Sequence, residues 1–191
     1  METETPGDDA AQNDDHPAAA IDTIVVDPDD VVDAMRRNHR DQDEQHSHVL
    51  RVTTPLQGER RAKPHVSEAH TYYPSELSQK PIHIGPEWFI IGDDAGSRHP
   101  DWRNEWAHPT IPEGRSLFRD QFDLYNERGA NRPLTDGEEA EWDEWWETVV
   151  EIWADRVRTA LESTEELTLT SHHPDVDDTT VNVRIEEDDA Q

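Results

Sequence analysis

Arginine, histidine and tryptophan carry the chemistry that stands apart from this sequence's abundant carboxylates. His99, Trp102, Arg103, Trp106 and His108 fall close together, pairing stacking surfaces with a fixed cation. Trp and Arg dominate the hot spots of protein interfaces, so Trp102, Arg103 and Trp106 are candidate binding residues. The plainer expectation is that both tryptophans tuck beneath their loop as satellite core. A second constellation is electrostatic. Arg36, Arg37, Arg40, Arg51, Arg60, Arg61 and Lys63 share one window with only Asp41, Asp43, Glu44 and Glu59, a balance of seven minus four, or +3, in a chain of −28. Arg36, Arg37, Arg40, Arg60 and Arg61 are the candidates there, as a basic helix end beside a basic hairpin. Such a surface fits a protein anchor first and a phosphate track second.

Histidine supplies a third reading. His46-Ser47-His48 sets two imidazoles on one face of an expected strand, and His65 and His70 fall on or beyond its pairing strand. Histidine is the commonest metal ligand, so a cross-strand site joined by Glu68 is one expectation. None of the fixed zinc spacings is complete, and ordinary hydrogen-bonding histidines compete with it; no metal ligand is assigned and no cofactor is expected. The run from His172 to Asp178 lacks the glycine and distal glutamate of a calcium loop and reads as a solvated turn. Arg156, inside the apolar arc of a long helix, is expected to stack on tryptophan, pair with a carboxylate or snorkel to water. Forty-five acids make some carboxylate pair inevitable, so paired-carboxylate catalysis carries no signal. No phosphate-binding glycine loop, nucleophile elbow or dinucleotide fingerprint is present. The chain reads as a binder rather than an enzyme.

The charge balance sets the setting for any such chemistry. Only Lys63 and Lys80 are lysines, and cysteine is absent. Surplus carboxylate with scarce lysine suits a protein working in molar salt, where the Debye length is about 3 Å and carboxylate repulsion is nearly silenced. The acidity is then a solvent adaptation and calls for no basic partner. Phosphate binding loses roughly 0.9 log units per contact per log unit of salt, which places nucleic acid behind protein as the expected partner. Without cysteine there is no disulfide framework and no thiolate site. No apolar run approaches the roughly 18 residues of a membrane span, and no basic-then-apolar signal segment is present. A cytoplasmic protein that does not enter a membrane is expected.

The elements that position these residues follow from periodicity. Residues 1–20 and 187–191 read as disordered acidic tails flanking one domain over 21–186. Ile21 to Val26 predicts a strand, and Asp27-Pro28 starts a helix with Asp29 and Asp30 at its positive end and arginines in its last turn. His48–Thr54 and Arg60–Ser67 predict a hairpin, with Pro64 assigning the second strand to an edge. Pro81–Ile91 reads as a strand kinked at Gly85-Pro86, burying Trp88, Phe89, Ile90 and Ile91. The stretch 92–114 is a long irregular connection, uncommon in a compact domain unless it binds something. Ser116–Arg128 predicts a shorter helix ended by Gly129. Thr135–Glu162 predicts a long helix opened by a capping box, Thr135 with Glu138, and carrying four of the seven tryptophans. Its apolar arc runs through Trp142, Trp145, Trp146, Val149, Ile152, Trp153, Val157 and Leu161. Leu167–Leu169 and Thr180–Ile185 predict a final hairpin. The fold class is α+β: an antiparallel sheet built from hairpins, packed by one long amphipathic Trp-rich helix and one or two shorter helices.

Two stretches, Val25-Val26-Asp27-Pro28-Asp29-Asp30-Val31-Val32-Asp33-Ala34 and His65-Val66-Ser67-Glu68-Ala69-His70-Thr71-Tyr72-Tyr73-Pro74, resemble an uncharacterised family of small haloarchaeal proteins found among mobile elements. The resemblance implies a saline habitat and transfers no activity. The expectation is therefore a non-enzymatic interaction or accessory protein of a halophilic archaeon or its mobile elements. It would bind an unidentified protein through the basic window and the Trp/Arg loop. Nucleic-acid binding through Arg36–Lys63 and a His-coordinated metalloprotein are the alternatives.

Overall fold

The computed structural model describes residues 16–41, 46–68, 79–91, 106–125, 132–170 and 176–186. Ahead of Ile21, the His16 ring accepts the Ala18 amide at 3.0 Å, and Ala18 is fully buried. β1 (Ile21–Val26) follows, and α1 (Pro28–Asp41) starts where Asp27 accepts the Asp29 amide at 2.9 Å. β2 (His46–Val52) and β3 (Gly58–Glu68) form the expected antiparallel hairpin, Leu50 opposite Pro64. Gly58, at φ +61°, starts β3 in a conformation glycine adopts freely. β4 (Ile82–Ile84) adds antiparallel to β2.

The chain then departs from the expected strand. Trp88–Ile91 is a helical turn, α2. The Gly85-Pro86-Glu87 carbonyls accept the amides of Trp88, Phe89 and Ile90 in turn, a tight ladder that the Gly-Pro pair nucleates and that ends the strand. Phe89 is fully buried, whereas Trp88 and Ile90 are partly so.

α3 (Ile111–Phe122) begins inside what reads as irregular sequence. Thr110 caps it by accepting the Glu113 amide, and Pro112 occupies its first turn, where a missing N–H costs nothing. It ends at Asp123 in a left-handed conformation. α4 (Asp136–Glu162) carries the expected capping box at Thr135 and Glu138. β5 (Glu166–Leu169) and β6 (Thr179–Ile185) form the last hairpin.

These strands make one six-stranded sheet of order β4-β2-β3-β1-β6-β5. Both hairpins are present and antiparallel, and β1 joins them by pairing parallel to β3 and to β6. The fold is α+β with a mixed sheet. β3 is accordingly an interior strand, not the edge that Pro64 implied. β1 covers only Gly58–Arg61 of it, so Pro64 lies beyond the end of β1 and its missing N–H removes no rung on that flank. α1 and the C-terminal half of α4 lie on the same sheet face. Val31, Val32, Trp153, Ala154, Val157 and Leu161 meet Ile24, Leu50, Val52, Leu167, Val181 and Val183 in one buried cluster. The buried stripe of α4 is narrower than its apolar arc: Ile152 is 57 % exposed.

Candidate functional site

α1 presents its C-terminal half toward α4 across a gap that α3 closes at one side. Arg36 reaches over to Glu151 at 3.1 Å, and Arg158 ties Asp29 at 2.9 Å to Glu151 and Asp155. These pairs fix the spacing of the two helices; each is solvent-touched, so each contributes geometry more than energy. Asn38 fixes the far end of α1, its amide clasping both backbone groups of His48 at 2.8 and 2.6 Å. Beside it His48 meets Asp41 at 3.0 Å.

The gap is a cleft of about 960 Å³. Asp33, Arg36, Arg37, His39 and Arg40 form one wall, His108, Thr110, Ile111 and Pro112 the other, and Trp146 and Val150 the floor. His108 bridges the walls. Its ring stacks on His39 with centroids 4.3 Å apart and meets the Trp153 ring edge-on at 4.7 Å. Burial pushes the His108 imidazole below its ordinary range, only partly offset by its hydrogen bond to the Pro109 carbonyl at 2.8 Å. Because a carbonyl can only accept, Nδ1–H donates to it. Arg40 is committed to Asp41 at 2.7 Å, a pairing that, with His48, holds the Asp41 carboxyl at about 2. Arg37 has neither hydrogen bond nor ion pair among the described residues. The Nε of Arg36 is buried without a partner.

The floor rests on an aromatic cluster separate from the main core. Trp142 stacks on Trp146 at 5.2 Å, and Phe118 meets Trp142 and Trp145 at 5.6 Å. Gly114 lets α3 come this close, since a Cβ there would stand 2.7 Å from Trp146 Cε3 and 3.0 Å from Trp142 Cη2. Arg115 covers the Trp142 ring at 4.4 Å and pairs with Glu139 at 2.8 Å.

The sequence-derived candidates divide. Arg36, Arg37 and Arg40 line the cleft. Trp106 sits just behind it: its carbonyl accepts the Trp153 indole N–H at 3.1 Å, Arg156 lies over its ring at 5.6 Å, and it packs on the main core. Trp102 and Arg103 lie outside the described residues. Arg60 and Arg61 do not join the arginines of α1. Arg60 donates to the Pro55 carbonyl, and Arg61 pairs with Glu186 and, at 4.0 Å, with Asp27. Asp27 caps the opposite end of α1, about 20 Å from Arg40 at 1.5 Å per residue. The basic window is thus two surfaces rather than one.

The histidines divide in the same way. His48 pairs with Val66 and Val49 with His65, so His46 and His48 point to one sheet face and His65 to the other. His65 therefore does not join His46 and His48, and His70 lies outside the described residues. Among the described residues no group of three or more His, Asp or Glu is placed to hold a metal ion, and no helix is long and apolar enough to cross a membrane. His39, Ile111, Trp146 and Val150 were not singled out as site residues from sequence. Only the basic character of the surrounding α1 turn hinted at His39.

Fold and cleft together define an α+β domain with an arginine-walled, tryptophan-floored groove. The chain belongs to the family described as a domain of unknown function, DUF8009, whose model matches residues 10–186. No curated protein and no solved structure matches the chain.

Proposed function

We propose that this chain is a non-enzymatic interaction protein that holds a carboxylate-bearing segment of a partner protein in the α1–α3–α4 cleft. The observation that carries the reading is the Arg37 guanidinium, without a partner among the described residues, beside a half-exposed tryptophan floor and the 57 % exposed Ile111 rim. Arg and Trp at one concave site are the composition of an interface hot spot. About 960 Å³ matches the upper range of ligand clefts. A partner's Asp or Glu would meet Arg37, with the Arg40–Asp41 pair beside it, and an apolar side chain would lie over Trp146 and Val150.

The saline habitat belongs to the same proposal. Through 45 acids against 17 cations, the chain would stay hydrated in molar salt inside a halophilic archaeal cytoplasm, and its partner would be acidic too. With a Debye length of about 3 Å there, charges steer only at contact and the apolar floor supplies most of the affinity. A photo-crosslinking residue at Ile111, used in native extract at molar KCl, should give one stoichiometric adduct. Arg37→Glu with Arg40→Glu should abolish it, and a crosslinker at Val66 should give none. Equal adducts from both positions, or none from Ile111, would overturn the proposal.

A further inference from the structure

The helix-free face of the sheet carries a second cation cluster that the cleft does not use. Register places His83 and Lys63 directly beside Arg51, one on each side. His65 lies opposite Val49 one pair further along. The two imidazole centroids are 5.0 Å apart, and Ser67 Oγ lies 3.3 Å from His83 Nδ1. Beside them Val49 is only 8 % exposed although it stands outside the helix-covered cluster, an apolar floor to the row.

Two features of this row work against stability. Arg51 and Lys63 are like charges at directly opposed positions, where a cross-strand pair repels. The Nε of Arg51 is buried with no partner, a donor whose desolvation nothing offsets. In a chain with 45 acids, the alternate positions around the row (Ser47, Val49 and Arg51; Arg61, Lys63, His65 and Ser67; His83) include none; Glu59, at the start of β3 on the same face, is paired with Arg184 at 2.7 Å. Arg61, at the margin, is already committed to Glu186 and Asp27.

From this we infer that Arg51, Lys63, His65 and His83 form a binding site for a phosphate group. The ligand oxygens would accept from the Arg51 guanidinium, the Lys63 ammonium and the imidazole N–H groups, leaving Val49 beneath. A cation is the wrong occupant, because the row is itself positive and offers no carboxylate. Burial together with the positive charge of Arg51 holds both imidazoles below their ordinary range. Neutral or charged, each imidazole keeps at least one N–H to offer an anion.

The test is proton NMR titration of the His65 and His83 rings in KCl at constant ionic strength. One arm adds inorganic phosphate and the other a short single-stranded oligonucleotide. A bound phosphate group should raise both midpoints by about half a unit or more. Arg51→Gln should remove that rise; Lys63→Gln, at an exposed position, should weaken it at least severalfold and serves if the first variant does not fold. Arg37→Gln, in the cleft, should leave it intact. A rise with phosphate alone marks a free anion site, and a rise only with the oligonucleotide marks a phosphodiester backbone as the source. Midpoints unmoved in both arms, or moved equally in Arg51→Gln and Lys63→Gln, would overturn the inference. Neither result touches the cleft reading, which is scored by crosslinking at Ile111.

Discussion

The two halves of α4 do different work with the same helix. From Trp153 to Leu161 it is backed by the sheet, and Ala154, Val157 and Leu161 are fully buried among aliphatic side chains. From Trp142 to Val150 it runs beyond that cluster and is backed by α3, through aromatic contacts that leave Trp145 and Trp146 half-exposed. Aliphatic packing against a sheet fixes the helix in place. Aromatic packing against a second helix supplies large, stiff surfaces with one face still open to solvent, which is what a binding floor requires. The comparison explains why four tryptophans occupy one helix yet only Trp142 and Trp153 are buried.

The sharpest way to break the comparison is at the sheet-backed end. Leu161→Ala removes a fully buried side chain and should lower global stability by about 2–5 kcal/mol. The measurement is chemical denaturation in concentrated KCl. The near-ultraviolet circular dichroism of the Trp142–Trp146 stack should survive while the protein remains folded. Gly114→Ala acts at the other end. Its Cβ must displace the Trp146 ring from the stack, so it should cost about 1–3 kcal/mol, change that tryptophan signal and close the cleft floor. If both substitutions altered stability and the tryptophan signal alike, the two halves would be a single unit.

Legibility followed the same division. Elements with a strong period and a cap could be read from sequence: β1, α1, both hairpins and the capping box of α4 all stand where their residues place them. Elements set by context could not. Pro64 is an interior-strand residue because β1 stops short of it, a fact about another segment's length. Ile111–Gly114 is helical because Thr110 caps it, a signal hidden among prolines that read as loop. Histidine spacing along β2 says nothing of His65, since a single step of register sends it to the other face. The site was legible as residue types in Arg36, Arg37 and Arg40. Their separation from Arg60 and Arg61 depends on the length of α1, which no local count of charge contains.

Smaller effects sharpen the picture at the start of α4. Thr135→Ala removes the hydroxyl that accepts the Glu138 amide and should cost about 1 kcal/mol, read as a lower melting temperature. Glu138 adds a pH dependence. Its carboxyl, held by Arg132 and then by the Thr135 backbone amide, is lowered from 4.5 to about 2. A depressed folded-state value means its contribution is present above pH 4.5 and is lost as pH falls toward 2. The acid limb of the stability curve should therefore be steeper in the wild type than in Glu138→Gln across that window. Equal slopes would show that the cap is frayed in solution.

The smallest expected change in stability is at Arg37, and it bears most on the comparison. Because this guanidinium has no partner among the described residues, Arg37→Glu should leave the denaturation midpoint within about 0.5 kcal/mol of wild type. The same substitution places a carboxylate against any carboxylate brought by a partner, and the Ile111 adduct should disappear. On the proposed reading, a cation with no partner among the described residues serves a contact outside the fold, whereas Arg158, with three carboxylates around it, holds the fold together. Arg158→Gln should accordingly reverse the pattern, loosening α1 from α4 and lowering the midpoint while leaving the charge of the cleft wall intact. If Arg37→Glu proved the more destabilising of the two, the wall would be part of the scaffold and the open half of α4 would need another explanation.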